Sequence, residues 1–149
     1  MRHDRRARRA VWIAVGVAAG AALLAAAGSP AGAEDEVDSV TIHLREYRFD
    51  PSEIRLTVGR DSELIVINNG TVPHEFVTEA LQDLAVDVEI AGVRAETLGV
   101  AELEIPPKAR AVVRFTPERA GEFSFACRAL RPTDHHRQGM RGRLLIREP

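Results

Sequence analysis

The sequence predicts an all-β domain, an antiparallel sandwich or barrel, behind a short N-terminal leader. Two observations predict the fold. Apolar residues alternate with polar ones in short runs, which puts one face of each run on a core. Turn signals such as Asp50-Pro51, Asn69-Gly70 and Thr116-Pro117 separate those runs. A third observation concerns chemistry. The stretch ACRALRPTDHHRQGM, residues 126–140, holds the only cysteine of the chain, two adjacent histidines and one of two methionines.

The elements follow in chain order. Residues 1–10 carry five arginines and one aspartate, and residues 11–27 are uninterrupted apolar or small. Ala31 and Ala33 then provide the small residues of a cleavage site before Glu34. Residues 1–33 therefore read as an export signal peptide and residues 34–149 as one domain. The alternative is an uncleaved membrane anchor, because the apolar run is near the lower length for spanning a bilayer. Either way the expected location is outside the cytoplasm, in the periplasm or on the extracytoplasmic face of the membrane.

Within the domain, Val40, Ile42 and Leu44 alternate with polar residues, and Ile54, Leu56 and Val58 do so again before Gly59. ELIVIN, residues 63–68, is dense in β-branched residues. Residues 79–86, EALQDLAV, fit a short helix, and VDVEI at 86–90 alternates like a strand. Pro106-Pro107 bends the chain into a strand holding Val113 and Phe115. Phe123, Phe125 and Cys127 share one face of the next strand, and Leu144 and Ile146 lie on the last.

Without residues 1–33 the chain has 15 basic and 21 acidic side chains, a net charge of −6, which gives no basis for nucleic acid binding. No nucleophile–base pair, paired-carboxylate motif or phosphate loop is present, so an enzyme is not expected.

Exported proteins enter an oxidising space where cysteines usually pair. Cys127 has no partner within the chain, which leaves an intermolecular crosslink, a reactive thiol or a metal ligand. Taken singly, Cys127 reads as a buried small hydrophobe, Met140 as a gap filler, His74 as a turn residue and His43 as exposed. Together on one loop, however, thiolate, imidazole and thioether form a soft ligand set, and a trigonal His₂Cys site with a weak axial Met is the blue-copper arrangement. The second histidine must come from elsewhere. His74 is the candidate, because it follows the ELIVIN run and the NGTVP turn.

These residues carry a family resemblance. REYRFDPSEIRLTVGRDSELIVINNGTVPHEF, residues 45–76, is similar to the cupredoxin pattern of an aromatic, an F-x-P turn, an I-x-V-x-x-G strand and N-x-G-x-x-x-H-x-F. AGEFSFACRALRPTDHHRQGMRGRLLI, residues 120–146, resembles its G-x-[YF]-x-F-x-C … H-x-x-x-G-M-x-G-x-L-x-V ending. The resemblance implies a Greek-key β-sandwich, mononuclear type 1 copper and one-electron transfer. It puts His74, Cys127 and Met140 on the family's first His, Cys and Met. H-x₄-M selects His135 as the second histidine, whereas H-x₃-M would select His136; His135 is preferred. Two departures stand out. The C-x₇-H spacing is longer than in small electron carriers, and Glu75 replaces an Asn that ties the two ligand loops together in several members, bringing a carboxylate toward the metal instead.

The same resemblance leaves two further readings: a copper storage, delivery or sensing protein without an electron-carrier role, and a metal-free degenerate domain used as an interaction module. From Arg128 to Arg147 there are six arginines against the single acid Asp134. A basic collar including Arg128, Arg131 and Arg137 is expected to attract an acidic redox partner, with the loop histidine as the exposed edge through which electrons pass.

Overall fold

The computed structural model describes residues 37–149; the leader and its cleavage site lie outside the described residues. The chain forms β1 (Asp38–Arg45), β2 (Arg48–Asp50), β3 (Glu53–Thr57), β4 (Ser62–Asn68), β5 (His74–Thr78), β6 (Ala85–Ile90), β7 (Val93–Leu98), β8 (Glu102–Ile105), β9 (Arg110–Phe115), β10 (Gly121–Ala126) and β11 (Arg141–Arg147). One sheet has the order β2-β1-β4-β9-β6-β7 and the other β3-β11-β10-β5-β8. Their inner faces enclose the core, so the expected sandwich is the observed architecture.

It is not wholly antiparallel. β1 runs parallel to β4, from Asp38 opposite Ser62 to Leu44 opposite Asn68. β11 runs parallel to β3, from Arg143 opposite Glu53 to Arg147 opposite Thr57. Alternation cannot reveal this, because side chains repeat every two residues whichever way the neighbouring strand points.

The expected helix at 79–86 shrinks to one 3₁₀ turn, Glu79–Leu81, whose first N–H groups are capped when Ala80 donates to the Thr78 hydroxyl. Leu81 and Leu84 are buried at helical spacing, which explains the expectation. Asp83 between them takes a left-handed backbone (φ 65°) and turns the chain into β6. β5, β7 and β8 carry weak signals in the sequence. β7 is exposed along its whole length, so neither face selects apolar residues. Its pairing with β6 is set by the Ala91-Gly92 turn, where both residues have positive φ, the backbone that a two-residue hairpin requires.

The core beneath one end of the sandwich is aromatic. Phe49 meets Phe125 edge-on at 4.9 Å between ring centroids, and Phe76 lies 5.2 Å from Phe125. These rings come from β2, β5 and β10, so the cluster ties both sheets together under the ends of β4 and β10 and the start of β11. Phe123 is only half-buried, with the Arg119 guanidinium 5.3 Å over its ring.

Gly142 shows how tight the packing is there. A β-carbon at this position would lie 2.2 Å from Phe125 Cζ and 2.5 Å from the Ser52 carbonyl oxygen. Neither neighbour can yield, since Phe125 is wedged between two other rings and the Ser52 carbonyl accepts the Arg143 N–H at 2.8 Å. Gly142→Ala is therefore expected to cost about 1–3 kcal/mol through overpacking, read as a lower midpoint in denaturant unfolding.

Candidate metal centre

Four segments build the site at that aromatic end. β4 ends at Asn68, which is fully buried and fully used: its amide donates to the carbonyls of Val72 (2.9 Å) and Ile105 (2.8 Å), and its side-chain oxygen accepts the Gly70 N–H (2.9 Å). This residue holds the Asn69–Pro73 loop in shape and delivers His74 to the first position of β5. Gly70 must be small: a β-carbon would lie 2.9 Å from His74 Nε2 and 2.7 Å from the Glu46 carboxylate.

The second segment is the chain from the end of β10 to the start of β11. The Cys127 N–H donates to the Met140 carbonyl, the Met140 N–H to the His135 carbonyl, and the His135 N–H to the Ala129 carbonyl, at 3.0–3.1 Å. These bonds gather Cys127, His135 and Met140 although residues 128–134 bulge away between them. All three are completely buried, as is His74.

The geometry is that of a metal site. His74 Nδ1 and His135 Nδ1 are 3.2 Å apart, and Cys127 Sγ lies 3.3 Å from the second and 3.9 Å from the first. A point equidistant from all three lies about 2.0 Å from each, against typical metal bonds of about 2.0–2.1 Å to imidazole nitrogen and 2.3 Å to thiolate sulfur. Among the described residues this is the one cluster of His, Cys and acid side chains whose donor atoms all lie within 4.8 Å of one another. His136, the alternative to His135, is exposed and is not part of this cluster. The backbone bonds of His135 bring it, rather than His136, into the cluster.

Glu75 differs from expectation. Its carboxylate accepts the Arg128 N–H at 3.0 Å, and its own N–H donates to Cys127 Sγ at 3.3 Å. It therefore ties the two ligand loops together, as the Asn it replaces does, rather than approaching the metal position. Burial pushes its carboxyl above the usual range, with Glu102 adding to the effect and the Arg128 N–H opposing it. Burial also pushes the Cys127 thiol up, against the lowering effect of the Glu75 N–H.

Sequence reasoning missed the tip of the β1–β2 hairpin. Tyr47 adopts φ 67° there, and its ring meets the His135 ring edge-on at 5.2 Å between centroids. Glu46 accepts both the N–H and the hydroxyl of Thr71. The loop histidine is thus covered, not the exposed edge that the family resemblance implies. The aromatic at position 47 was legible as a family feature; its place over His135 was not. His43 is half-buried and within hydrogen-bond distance (2.8 Å) of Asn69 Oδ1, rather than simply exposed. Of the expected arginine collar, Arg128 and Arg137 line a groove beside the site, while Arg131 is exposed outside it.

The family profile described as a cupredoxin-like domain matches residues 16–146. The chain belongs to the cupredoxin family, and its His–Cys–His cluster with a buried methionine fits a copper-binding centre. No curated sequence matches it. Among solved structures it is similar to dithionite-reduced auracyanin from Roseiflexus castenholzii, with 18% identity over 72% of this chain and 95% of that one and a TM-score of 0.52. It is also similar to a multicopper oxidase from Pediococcus acidilactici, with 17% identity, 76% of this chain, 26% of that one and a TM-score of 0.59. The Campylobacter jejuni multicopper oxidase gives 14% identity, 75% and 30% coverage and a TM-score of 0.53. At these identities the likeness is one of fold. The chain spans less than half the length of the oxidases and nearly all of the auracyanin.

Two predictions follow from this geometry. Burial, aided by His135 and opposed by Glu46, holds the His74 imidazole below its ordinary value of 6.5. The unfolded chain then binds more protons than the folded one, so stability from this group is present above about pH 6.5 and is lost as pH falls toward the depressed folded value. The urea midpoint of the copper-free protein is expected to drop from neutral pH to about pH 5, with a smaller slope in His74→Gln. Glu75→Ala should destabilise the copper-free protein by about 0.5–1.5 kcal/mol. Glu75→Gln, whose amide oxygen still accepts from Arg128, should recover most of that loss in the same unfolding measurement.

Proposed function

We propose that the protein is an exported mononuclear type 1 copper protein that carries single electrons and is not itself an enzyme. The observation that supports this reading most is the triangle of two imidazole Nδ1 atoms and one thiol sulfur, sized for a first-row metal and closed off from water. Copper bound there would supply the one-electron couple between Cu(I) and Cu(II). His74, His135 and Cys127 would hold it, with the buried Met140 thioether as a further, weaker donor.

The chain's own residues supply what such a couple needs. Asn68 and the backbone bonds at Cys127, His135 and Met140 fix the donors, so both oxidation states meet nearly the same frame. The Glu75 N–H donates to the sulfur and lowers its basicity. Tyr47 and the surrounding core keep water away from His135. The basic, apolar leader supports export. Among the described residues a single His/Cys cluster is present, which favours a carrier over a multicopper catalyst.

A second reading is copper storage or delivery without an electron-carrier role. The complete burial of His135 favours it, since no imidazole edge is offered to a partner. The experiment that separates the readings adds Cu(II) to the purified protein, records visible and EPR spectra, and follows with voltammetry. An intense thiolate-to-copper band and a reversible one-electron wave are expected. Bound copper without a reversible wave would support storage, and no stoichiometric copper would leave the metal-free interaction module. Cys127→Ser should abolish the band, whereas Met140→Leu should keep it and shift the potential.

A further inference from the structure

Beside the site a groove of about 820 Å³ opens along β10 and β11, walled on one side by Arg128, Leu130, Asp134, His136 and Arg137 of the loop between them. Its walls include residues on both sides of two donors: Ala126 and Arg128 flank Cys127, while Asp134 and His136 flank His135. Anything seated there packs one residue away from the metal ligands.

The groove is strongly basic. Arg141 and Arg143, two apart on β11, point to the same outward face. Arg128 and Arg137 approach from the loop. Against these stands one lining acid, Asp134, which pairs with Arg137 at 3.3 Å. Arg143 is taken up by Glu53 (2.6 Å) and Glu122 (3.4 Å). The guanidinium groups of Arg128 and Arg141 have no carboxylate partner among the described residues. Leu130, 71% exposed, lies on the lip and adds an apolar contact. Two unpaired planar cations with an apolar neighbour suit carboxylate side chains on another protein, because the guanidinium fork matches a carboxylate in two hydrogen bonds.

We propose that this groove is the docking port for an acidic segment of a redox partner protein, seated against Arg128 and Arg141. The port abuts the segments that carry Cys127 and His135, and Tyr47 is not among its lining residues. The proposal rests on the electron-carrier reading above. It moves the docking residues from the sequence-based set of Arg128, Arg131 and Arg137 to a pair that includes Arg141 and excludes Arg131.

The test has a redox arm and a binding arm. In the first, a reduced, strongly acidic plant-type ferredoxin is mixed with the copper-loaded protein, and one electron passes from its iron–sulfur cluster to Cu(II). The second-order rate is followed as salt shortens the Debye length from about 30 Å at 0.01 M to about 8 Å at 0.15 M. For wild type the rate should fall steeply with salt. The Arg128→Gln/Arg141→Gln protein should be slower by about tenfold at low salt, with a shallower slope, an unchanged visible band and convergence with wild type at high salt. Arg131→Gln and Arg119→Gln should behave as wild type.

In the second arm, fluorescein-labelled decaglutamate is titrated into both proteins, with and without copper, and read by anisotropy. Weaker binding to the double variant is expected. If voltammetry shows no reversible couple, the carrier reading fails while this arm still decides the groove. Equal peptide binding by wild type and the double variant overturns the port. So does displacement of the peptide by micromolar citrate, which would make the groove a site for small polyanions.

Discussion

Three metal-seeking atoms are aimed at one point inside a dry frame, and the rest of the structure answers to that constraint. Two imidazoles and a thiol, all fully buried, point their donor atoms at one another. The far nitrogens, His74 Nε2 and His135 Nε2, have no hydrogen-bond partner among the described residues. Burying such groups costs free energy, which metal coordination offsets because binding energy to a formed site adds to folding energy. The frame must therefore hold the donors in place before the metal arrives. The three phenylalanines below, Asn68 on one side and Glu75 on the other each remove a way for the triangle to relax.

Much of this frame was legible in the sequence, and what escaped has a common cause. Period-two alternation marked β1, β3 and β9, and a run of β-branched residues marked β4. Alternation failed for β7, which has no buried face, and it said nothing about the parallel pairings. The candidate donors were visible because soft side chains gathered in one stretch and His74 followed a recognisable turn. Choosing His135 over His136 was harder. Neighbouring loop residues differ in direction only through their backbone hydrogen bonds, and those partners, Ala129 and Met140, cannot be read from spacing.

The supporting polar residues were the least legible. Asn68 looks like a turn residue, yet it bridges to the Ile105 carbonyl, 37 positions away. Glu75 looks like an intruding charge, yet it grips the N–H of Arg128, 53 positions away. Their roles are set by partners that only the folded sandwich brings near. Tyr47 belongs with them. Its left-handed backbone would be unusual for a bulky residue in a free hairpin, and its placement makes sense only with the His135 ring beneath it.

The backbone bonds that bracket the donor loop have an evolutionary consequence. Cys127 is joined to Met140, and Met140 to His135, so the two ends of the loop are stitched at its base. Residues between Ala129 and His135 form an excursion whose only duty toward the donors is to leave and return. Loop-closure cost grows slowly with length, so this excursion can lengthen, shorten or change composition while the donors stay where they are. A domain built this way can acquire new outward-facing surfaces, one descendant at a time, without re-inventing its metal chemistry.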